Sequence, residues 1–353
     1  MLEGAIYVIP KPTFTKSNWL SGKYQDSAMT YNEQQMNLHP FLVRLRNQIG
    51  YSLFDEVKVS AVELGKDQNL FGGGHIEAYL GKDFVGENEI SEKARKLKYV
   101  QDELKKRNVD LLFAIAPCKP KLMPEFISSK YDVTKKTRSN YDAYVYQFKK
   151  QNIHFIDFVD YFLKIKNSVK HPLATRCGVH WSLYGSTLAA DTLIKYMEKL
   201  RNIDMPEYYS DGGEETTAPR GSDADIGKAM DLLRDIPSYT MYYPNIVFKE
   251  DSTKTKPNVL IVGDSYVESW LYSYEYIEHE FSPKTSFWYY NKQITWKPSN
   301  NDIDNDVSKL NLKEQTLNRD FILILFNEVN LNKGGYGFIE QMYDMLTKEN
   351  RTK

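Results

Sequence analysis

The sequence predicts an α/β fold with a mostly parallel central sheet. Short runs rich in branched and aromatic residues alternate with longer segments in which apolar residues recur at helical spacing. That alternation is typical of parallel strands joined by crossover helices. The chain has 353 residues, of which 41% are hydrophobic and 26% charged. This length and composition suit a globular protein with one large domain or two small ones.

Four runs have the composition of buried strands, and apolar stripes between them predict helices that cover the sheet. The strands are expected at 111–116, 154–158, 259–262 and 321–326. The two clearest helical stripes lie in 90–106 and 183–200, with shorter helices expected at 141–151, 266–279 and 338–347.

Two polar stretches interrupt this pattern. Residues 211–225 are rich in Gly, Asp, Glu and Thr, and residues 299–306 favour turns. We therefore expect a domain over 61–353 with an insertion at about 201–256. Residues 1–60 are expected to form an N-terminal extension that packs on this core.

Charge and hydropathy exclude several classes of function. Lys and Arg total 46 against 47 Asp and Glu, so no basic surplus is available to neutralise nucleic-acid phosphates. No apolar run approaches the ~20 residues that a membrane-spanning helix needs. The first ten residues lack the features of an intact signal peptide, although a removed leader or a missing anchor remains open.

The most informative motif follows the strand expected at 259–262. Gly263, Asp264 and Ser265 come directly after it, so Ser265 lies at the carboxyl end of a strand, where open α/β sheets place their ligands. A serine at the start of a helix also lies near free backbone N–H groups that can stabilise an oxyanion. The alternative is that Ser265 only caps the helix.

A serine nucleophile needs a base, and His180 is the best candidate. It precedes Trp181 and Ser182 in a loop at the predicted start of the 183–200 helix. Histidine is the usual base near neutral pH because its pKa lies close to that range. The other five histidines have no metal-type spacing and are interpreted as structural or surface residues.

Together these segments resemble the SGNH-hydrolase-like O-acetyltransferases of bacterial exopolysaccharide assembly, the alginate acetyltransferase family of AlgJ and AlgX. The resemblance covers most of the chain. It rests on 64–81 (LGKDQNLFGGGHIEAYLG), on 111–127, on the His180-Trp181 pair, on Ser265 in Gly-Asp-Ser and on 321–331. It implies a three-layer α/β/α fold of SGNH type and acetyl transfer to a polysaccharide outside the cytoplasm.

The chain departs from the family pattern at one position. The resemblance implies an Asp two residues before the histidine, but Gly178 stands there. The third member of a triad holds the imidazole tautomer and stabilises its charged form. Three alternatives remain open: another acid reaches His180, a backbone carbonyl orients the ring, or the site is degenerate. The candidate acids, all at or near strand ends, are Asp264, Asp157 and Glu328.

Further residues are assigned to substrate contacts. Asn291 could donate a hydrogen bond to an oxyanion, and Trp181 and Tyr266 are assigned to the substrate or oxyanion region. Arg220 and Asp223, in the insertion, could shape an acceptor groove or belong to a solvated loop.

The two cysteines, Cys118 and Cys177, suggest a disulfide that pins the His180 loop. Two unrelated free thiols are the alternative.

The leading functional hypothesis is an O-acetyltransferase that works through an acetyl-serine, with Ser265 as nucleophile and His180 as base. It requires no metal or cofactor. The resemblance implies a polysaccharide acceptor, a membrane-bound O-acyltransferase partner that supplies acetyl groups, and an extracytoplasmic location in the periplasm or at the cell surface. The alternatives are a carbohydrate O-acetyl esterase and a non-catalytic glycan-binding or assembly protein.

Overall fold

The computed structural model describes residues 11–35, 39–297 and 304–351. The described residues form two compact units. One contains the residues up to Val59 together with Lys228–Asp235, and the other contains Ser60–Gly227 and the chain from Ile236 onward.

The smaller unit is helical. Its helices are α1 (Lys16–Leu20), α2 (Lys23–Gln35) and α3 (His39–Phe54). The Arg44 guanidinium donates to the Leu232 carbonyl at 2.8 Å, and the Asn47 amide donates to the Met230 carbonyl at 3.2 Å. These two bonds attach α3 to the Lys228–Asp235 segment.

The larger unit is built on a six-stranded sheet. Its strands are β3 Asp110–Ala116, β4 Phe155–Asp157, β7 Val259–Gly263, β8 Ser286–Tyr289, β9 Gln293–Trp296 and β10 Phe321–Asn327. Their order across the sheet is β4-β3-β10-β7-β8-β9, and neighbouring strands are parallel except that β9 runs antiparallel to β8.

Helices cover both faces of this sheet. Alternate side chains of β3 point to opposite faces, with Leu112 and Ala114 in one apolar cluster and Leu111 and Phe113 in the other. Helices α8 (Phe158–Ile165), α9 (Leu183–Arg201) and α11 (Tyr276–Glu280) contribute to the first cluster, and α5 (Glu87–Lys105), α7 (Asn140–Lys150) and α13 (Phe338–Arg351) to the second. The α/β fold with a mostly parallel sheet is confirmed.

The four predicted strands are present as β3, β4, β7 and β10, and the predicted helices at 90–106, 141–151, 183–200 and 338–347 as α5, α7, α9 and α13. The continuous helix expected at 266–279 was wrong. That segment is a 3₁₀ turn at Ser265–Val267, a π-helical turn at Ser269–Ser273 and then α11. The following aromatic segment adds the strand β8, which packs Phe287 and Trp288 into the core.

The insertion contains a hairpin, not only loops. Strands β5 (Tyr208–Thr216) and β6 (Met241–Phe248) pair antiparallel. Between them lie a 3₁₀ turn at Gly221–Ala224 and the short helix α10 (Asp225–Ala229). Residues 299–303 of the polar stretch predicted at 299–306 lie outside the described residues. The remaining elements are β1 (Val62–Leu64), β2 (Leu70–Gly72), α4 (Gly73–Leu80), α6 (Lys119–Leu122) and α12 (Leu312–Thr316).

None of the helices in the described ranges combines the length and apolar character that crossing a membrane requires.

Candidate active site

Ser265 begins the turn that follows β7, at the carboxyl edge of the sheet. Asp264, which is fully buried, holds this turn in place. Its Oδ1 accepts from the Tyr266 N–H at 3.0 Å, and its Oδ2 accepts from the Asn327 N–H and the Asn330 side chain, each at 2.8 Å. Burial raises the pKa of this carboxyl, and its hydrogen bonds oppose that shift. Asp264 therefore connects the Ser265 turn to the end of β10.

His180 meets this turn from a separate loop. Its Nε2 lies 2.7 Å from Ser265 Oγ, although the two residues are 85 positions apart in the chain. Ser182 caps the following helix α9 by accepting from the Gly185 N–H. The loop is also held by the buried Lys119 ammonium, which donates to the carbonyls of Leu70 and Arg176 at 2.7 and 2.8 Å.

The second imidazole nitrogen is bound by Asp225, a residue that the sequence analysis did not select. The His180 Nδ1 lies 2.6 Å from Asp225 Oδ2. The other oxygen, Oδ1, accepts from the Val179 N–H at 3.1 Å, so the carboxylate is fixed against the same loop. Asp225 is the first residue of α10, in the insertion. Ser265, His180 and Asp225 thus form a hydrogen-bonded chain of the Ser-His-Asp type.

The surroundings of Gly178 leave no room for a side chain. A Cβ at Gly178 would lie 2.6 Å from the Ser222 carbonyl oxygen and 2.8 Å from Thr175 Oγ1. The Gly178 N–H itself donates to Thr175 Oγ1 at 2.8 Å. The Asp that the resemblance implies at this position would therefore fit only if the neighbouring atoms shifted, and Asp225 binds the His180 ring from another segment.

The electrostatics suit a base that is charged during part of a reaction cycle. Burial lowers the pKa of His180, but the hydrogen bond and the negative charge of Asp225 more than offset this, and the net shift is upward. The neighbouring His75 behaves in the opposite way, since burial and the proximity of His180 lower its pKa to about 4. His75 therefore stays neutral at the pH values where His180 titrates.

Both nitrogens of the His180 ring are bound by Ser265 and Asp225, and the three acids proposed from the sequence bind other groups within the described residues. Asp264 braces the Ser265 turn, which corrects the catalytic role predicted for it. Asp157 accepts from the Tyr141 hydroxyl and the Asp160 N–H, and Glu328 accepts from the Cys118 N–H. The Asp225 position carries a weak local signal, an acid in the first turn of a short helix in a polar stretch, which many surface residues share.

Three predicted substrate residues are committed to the protein interior, which corrects those assignments. Trp181 is fully buried and donates to Ser269 Oγ at 3.1 Å. Tyr266 is 1% exposed, and its hydroxyl lies within 3.0 Å of the carbonyl oxygens of Pro117 and Val179. The Asn291 amide nitrogen donates to the Tyr336 carbonyl and to Gln341 Oε1, both at 3.1 Å, so it is not available to an oxyanion.

The predicted disulfide is also wrong, since Cys118 and Cys177 are both buried and not joined to each other, and the Cys177 thiol donates to the Ile236 carbonyl at 3.3 Å. Within the described ranges, no group of three or more His, Cys, Asp or Glu residues could hold a metal ion.

Comparison with known proteins assigns the chain to a family. Residues 62–282 match the family model of the SGNH hydrolase-like domain of the acetyltransferase AlgX. The chain belongs to this family. The matched region contains Ser265, His180 and Asp225, and it is well over half of the sequence.

Individual relatives agree with this assignment. The chain is 25% identical over 254 residues to a probable alginate O-acetylase AlgJ of Pseudomonas syringae pv. tomato, covering 72% of this chain and 60% of that protein. It therefore spans less than two thirds of that relative's length. The O-acetyltransferase domain of Pseudomonas putida AlgJ has the same fold, with a TM-score of 0.50 and 14% identity over 81% of this chain and 99% of that chain. AlgX of Pseudomonas aeruginosa gives a TM-score of 0.50 with 13% identity, covering 84% and 71% of the two chains.

Proposed function

We propose that the protein is a serine-dependent O-acetyltransferase that modifies a polysaccharide outside the cytoplasm through an acetyl-serine intermediate. The observation that carries the proposal is the chain of two short hydrogen bonds, 2.7 Å from Ser265 to His180 and 2.6 Å from His180 to Asp225. Membership of the AlgX acetyltransferase family supports acetyl transfer as the reaction.

In the first half-reaction, His180 Nε2 accepts the proton of the Ser265 hydroxyl while Oγ attacks the carbonyl carbon of an acetyl donor. Asp225 holds the imidazole in the tautomer with its proton on Nδ1 and stabilises the imidazolium that forms. The N–H of Ser265 lies in the first turn after β7, where backbone N–H groups have no acceptor within the helix, and it can stabilise the oxyanion. The donor then leaves with the proton from His180, and Ser265 remains acetylated.

In the second half-reaction a sugar hydroxyl takes the place of the donor. His180 accepts its proton, the sugar oxygen attacks the acetyl carbon, and Ser265 Oγ leaves and regains a proton from His180. The products are an O-acetylated sugar and free enzyme. The relatives named alginate O-acetylase support a polysaccharide as acceptor. A membrane-bound O-acyltransferase is the partner we propose for supply of the acetyl group, and the periplasm or cell surface is the proposed location.

Carbohydrate O-acetyl esterase activity is the second candidate, favoured by the partial exposure of Ser265 to solvent. Water would then accept the acetyl group in place of the sugar. Asp225 weakens the third candidate, a non-catalytic glycan-binding protein, because that hypothesis depended on a missing acid beside His180.

The test is intact-protein mass spectrometry after brief exposure to an activated acetyl ester. We expect one added acetyl group that maps to Ser265 and is absent in Ser265→Ala and His180→Ala. The matched controls are Ser252→Ala and His39→Ala, which change the same residue types at exposed positions. Wild-type protein with no adduct and no turnover of the ester would contradict the proposal.

Transfer and hydrolysis are separated by product analysis. With an acceptor oligosaccharide present, the transferase produces acetylated sugar in excess over free acetate. Acetate as the sole product at every acceptor concentration would favour the esterase.

A further inference from the structure

A groove lies between the insertion hairpin and the end of the π-helical turn at Ser269–Ser273. It consists of two adjoining cavities of about 520 and 420 Å³. Both cavities are lined by Pro244 and Asn245 of β6 and by Ser273 and Tyr274 from the end of the π-helical turn. These shared residues make the two cavities one elongated depression, which we call the hairpin groove.

Residues that are close in sequence to each of the three triad members line the hairpin groove. Leu183, three residues after His180, and Gly221, four residues before Asp225, line its first cavity. Ser273, eight residues after Ser265, ends the π-helical turn and lines both cavities. A Cβ built on Gly221 would lie 3.9 Å from Ser273 Oγ, so the segments from Asp225 and Ser265 meet at the groove.

One polar group without a protein partner belongs to a residue that lines the groove. The Tyr274 hydroxyl is buried and has no hydrogen-bond partner within the described residues, whereas the Asp223 carboxylate shares a hydrogen bond with the Tyr243 hydroxyl. Burial, followed by the charge of Asp223, raises the pKa of the Tyr274 phenol. Tyr243 lines the same cavity, and its hydroxyl accepts from the Arg220 N–H at 2.9 Å. A buried polar atom without a partner is costly, so a ligand hydroxyl that satisfies it would be bound favourably.

The charges of the groove do not suit an anionic ligand. Among the described residues that line it, the only arginine, Arg220, and the only histidine, His279, each already contact a carboxylate, and no lysine lines either cavity. The Arg220 guanidinium lies 2.5 Å from Glu214 and over the Tyr243 ring at 5.0 Å. His279 lies 3.5 Å from Glu250 and stacks on Phe248. A polyuronate would bring one carboxylate per sugar, and recognition of such a chain requires cations that are free to pair with it.

We propose that the hairpin groove binds the acceptor, and that this acceptor is an uncharged oligosaccharide. The inference rests on the proposed function and narrows its substrate class. Tyrosine rings offer apolar faces to the sugar, while the Tyr274 hydroxyl and the polar side chains of the rim bond to its hydroxyl groups. The residues that lead from Asp225 and Ser265 to the groove would place a sugar hydroxyl of the bound chain at the acetyl-serine.

The test measures binding in the Ser265→Ala variant, so that it does not depend on catalysis. Titration calorimetry compares uncharged oligosaccharides, namely β-1,4-glucan and N-acetylglucosamine oligomers, with mannuronate oligomers of equal length. We expect binding of an uncharged oligomer that changes less than twofold between 50 and 500 mM salt, since no ion pairs form. We also expect adding Tyr274→Ala to weaken it at least tenfold, whereas adding the exposed control Tyr146→Ala leaves it unchanged.

A further variant tests the charge argument directly. Glu214→Gln frees the Arg220 guanidinium, so mannuronate binding should strengthen at low salt and weaken again as salt is added. Tighter binding of mannuronate than of every uncharged oligomer in the Ser265→Ala protein would overturn the proposal. So would the absence of binding by all oligomers, or uncharged-oligomer binding that Tyr274→Ala leaves intact. Failure of the acetyltransferase proposal is separate, because it appears as wild-type protein that binds the oligomer but forms no acetyl-serine.

Discussion

The carboxyl edge of the sheet and the insertion each contribute one part of the candidate site, and they do so in different ways. Ser265 stands at the end of a fully buried strand, on a turn that the buried Asp264 braces through three hydrogen bonds. Asp225 stands at the start of a five-residue helix, between the two strands of a hairpin of which β5 is mostly exposed. The proposed nucleophile is thus built into the core of the fold, whereas the proposed acid comes from a segment that packs on the His180 loop.

This difference shows that the acid of a Ser-His-Asp arrangement can come from a segment distant from the histidine in sequence, here by 45 residues. What His180 needs is a carboxylate within hydrogen-bond distance of Nδ1, and the chemistry does not depend on which segment carries it. The backbone of residues 222 and 223 occupies the space beside Gly178, and Asp225, a few residues further along the chain, binds His180.

The largest effect is expected on the rate of Ser265 acetylation when Asp225 is changed. Asp225→Asn should slow acetylation of Ser265 by about 10²–10⁴-fold, because the ring loses the partner that fixes its tautomer and stabilises its charge. Single-turnover measurements with an activated acetyl ester give this rate directly. Asp211→Asn, an exposed change in the same insertion, is the control and should have no effect.

Asp264→Asn tests the other region, and its main expected effect is on stability. Because Asp264 braces the turn and accepts from Tyr266, Asn327 and Asn330, this change should lower the free energy of unfolding by about 1–3 kcal/mol. Denaturant unfolding measures the loss. A variant that lost activity like Asp225→Asn but kept wild-type stability would mean that Asp264 acts on the chemistry and does not only position Ser265.

A third variant tests whether an Asp at position 178, as the resemblance implies, can replace Asp225. Gly178→Asp in the Asp225→Asn background should not recover the acetylation rate, because its Cβ would lie 2.6 Å from the Ser222 carbonyl oxygen. Its melting temperature should fall below that of Asp225→Asn alone. Recovery to within tenfold of the wild-type rate would indicate that the insertion yields readily and that the Gly178 contacts do not exclude an acid at that position.

The smallest effect concerns stability outside the site. Glu280, on α11, is buried, and neither carboxylate oxygen has a hydrogen-bond partner within the described residues. Burial raises its pKa from 4.5 to about 8, so the folded state retains a proton that the unfolded state releases. Stability should therefore decrease as pH rises from about 4.5 to 8. Glu280→Gln should raise the free energy of unfolding by about 1–3 kcal/mol at pH 8 and by little at pH 5.

Denaturant unfolding at the two pH values measures this difference, with the exposed Glu278→Gln on the same helix as control. An equal effect of Glu280→Gln at both pH values would contradict the assigned titration.

Local patterns explain what the sequence could predict. The buried strand before Gly263 and the loop before α9 have clear signals, so Ser265 and His180 were identified from their immediate neighbours. The segment after Ser265 was mispredicted as one helix because its apolar spacing is helical, whereas the chain forms a 3₁₀ turn and a π-helical turn there. Asp225 was missed because its role depends on a contact across 45 residues, and no local pattern specifies such a contact.

The pH dependence of Ser265 acetylation tests the central claim, that Asp225 of the insertion completes the triad. In wild-type protein the single-turnover rate should rise with pH and reach half its maximum above pH 6.5, because His180 acts only when neutral and its pKa is raised. In Asp225→Asn the midpoint should move to lower pH while the maximum falls about 10²–10⁴-fold, since burial then lowers the pKa without the opposing charge. An unchanged midpoint, with a maximum within twofold of wild type, would contradict the account.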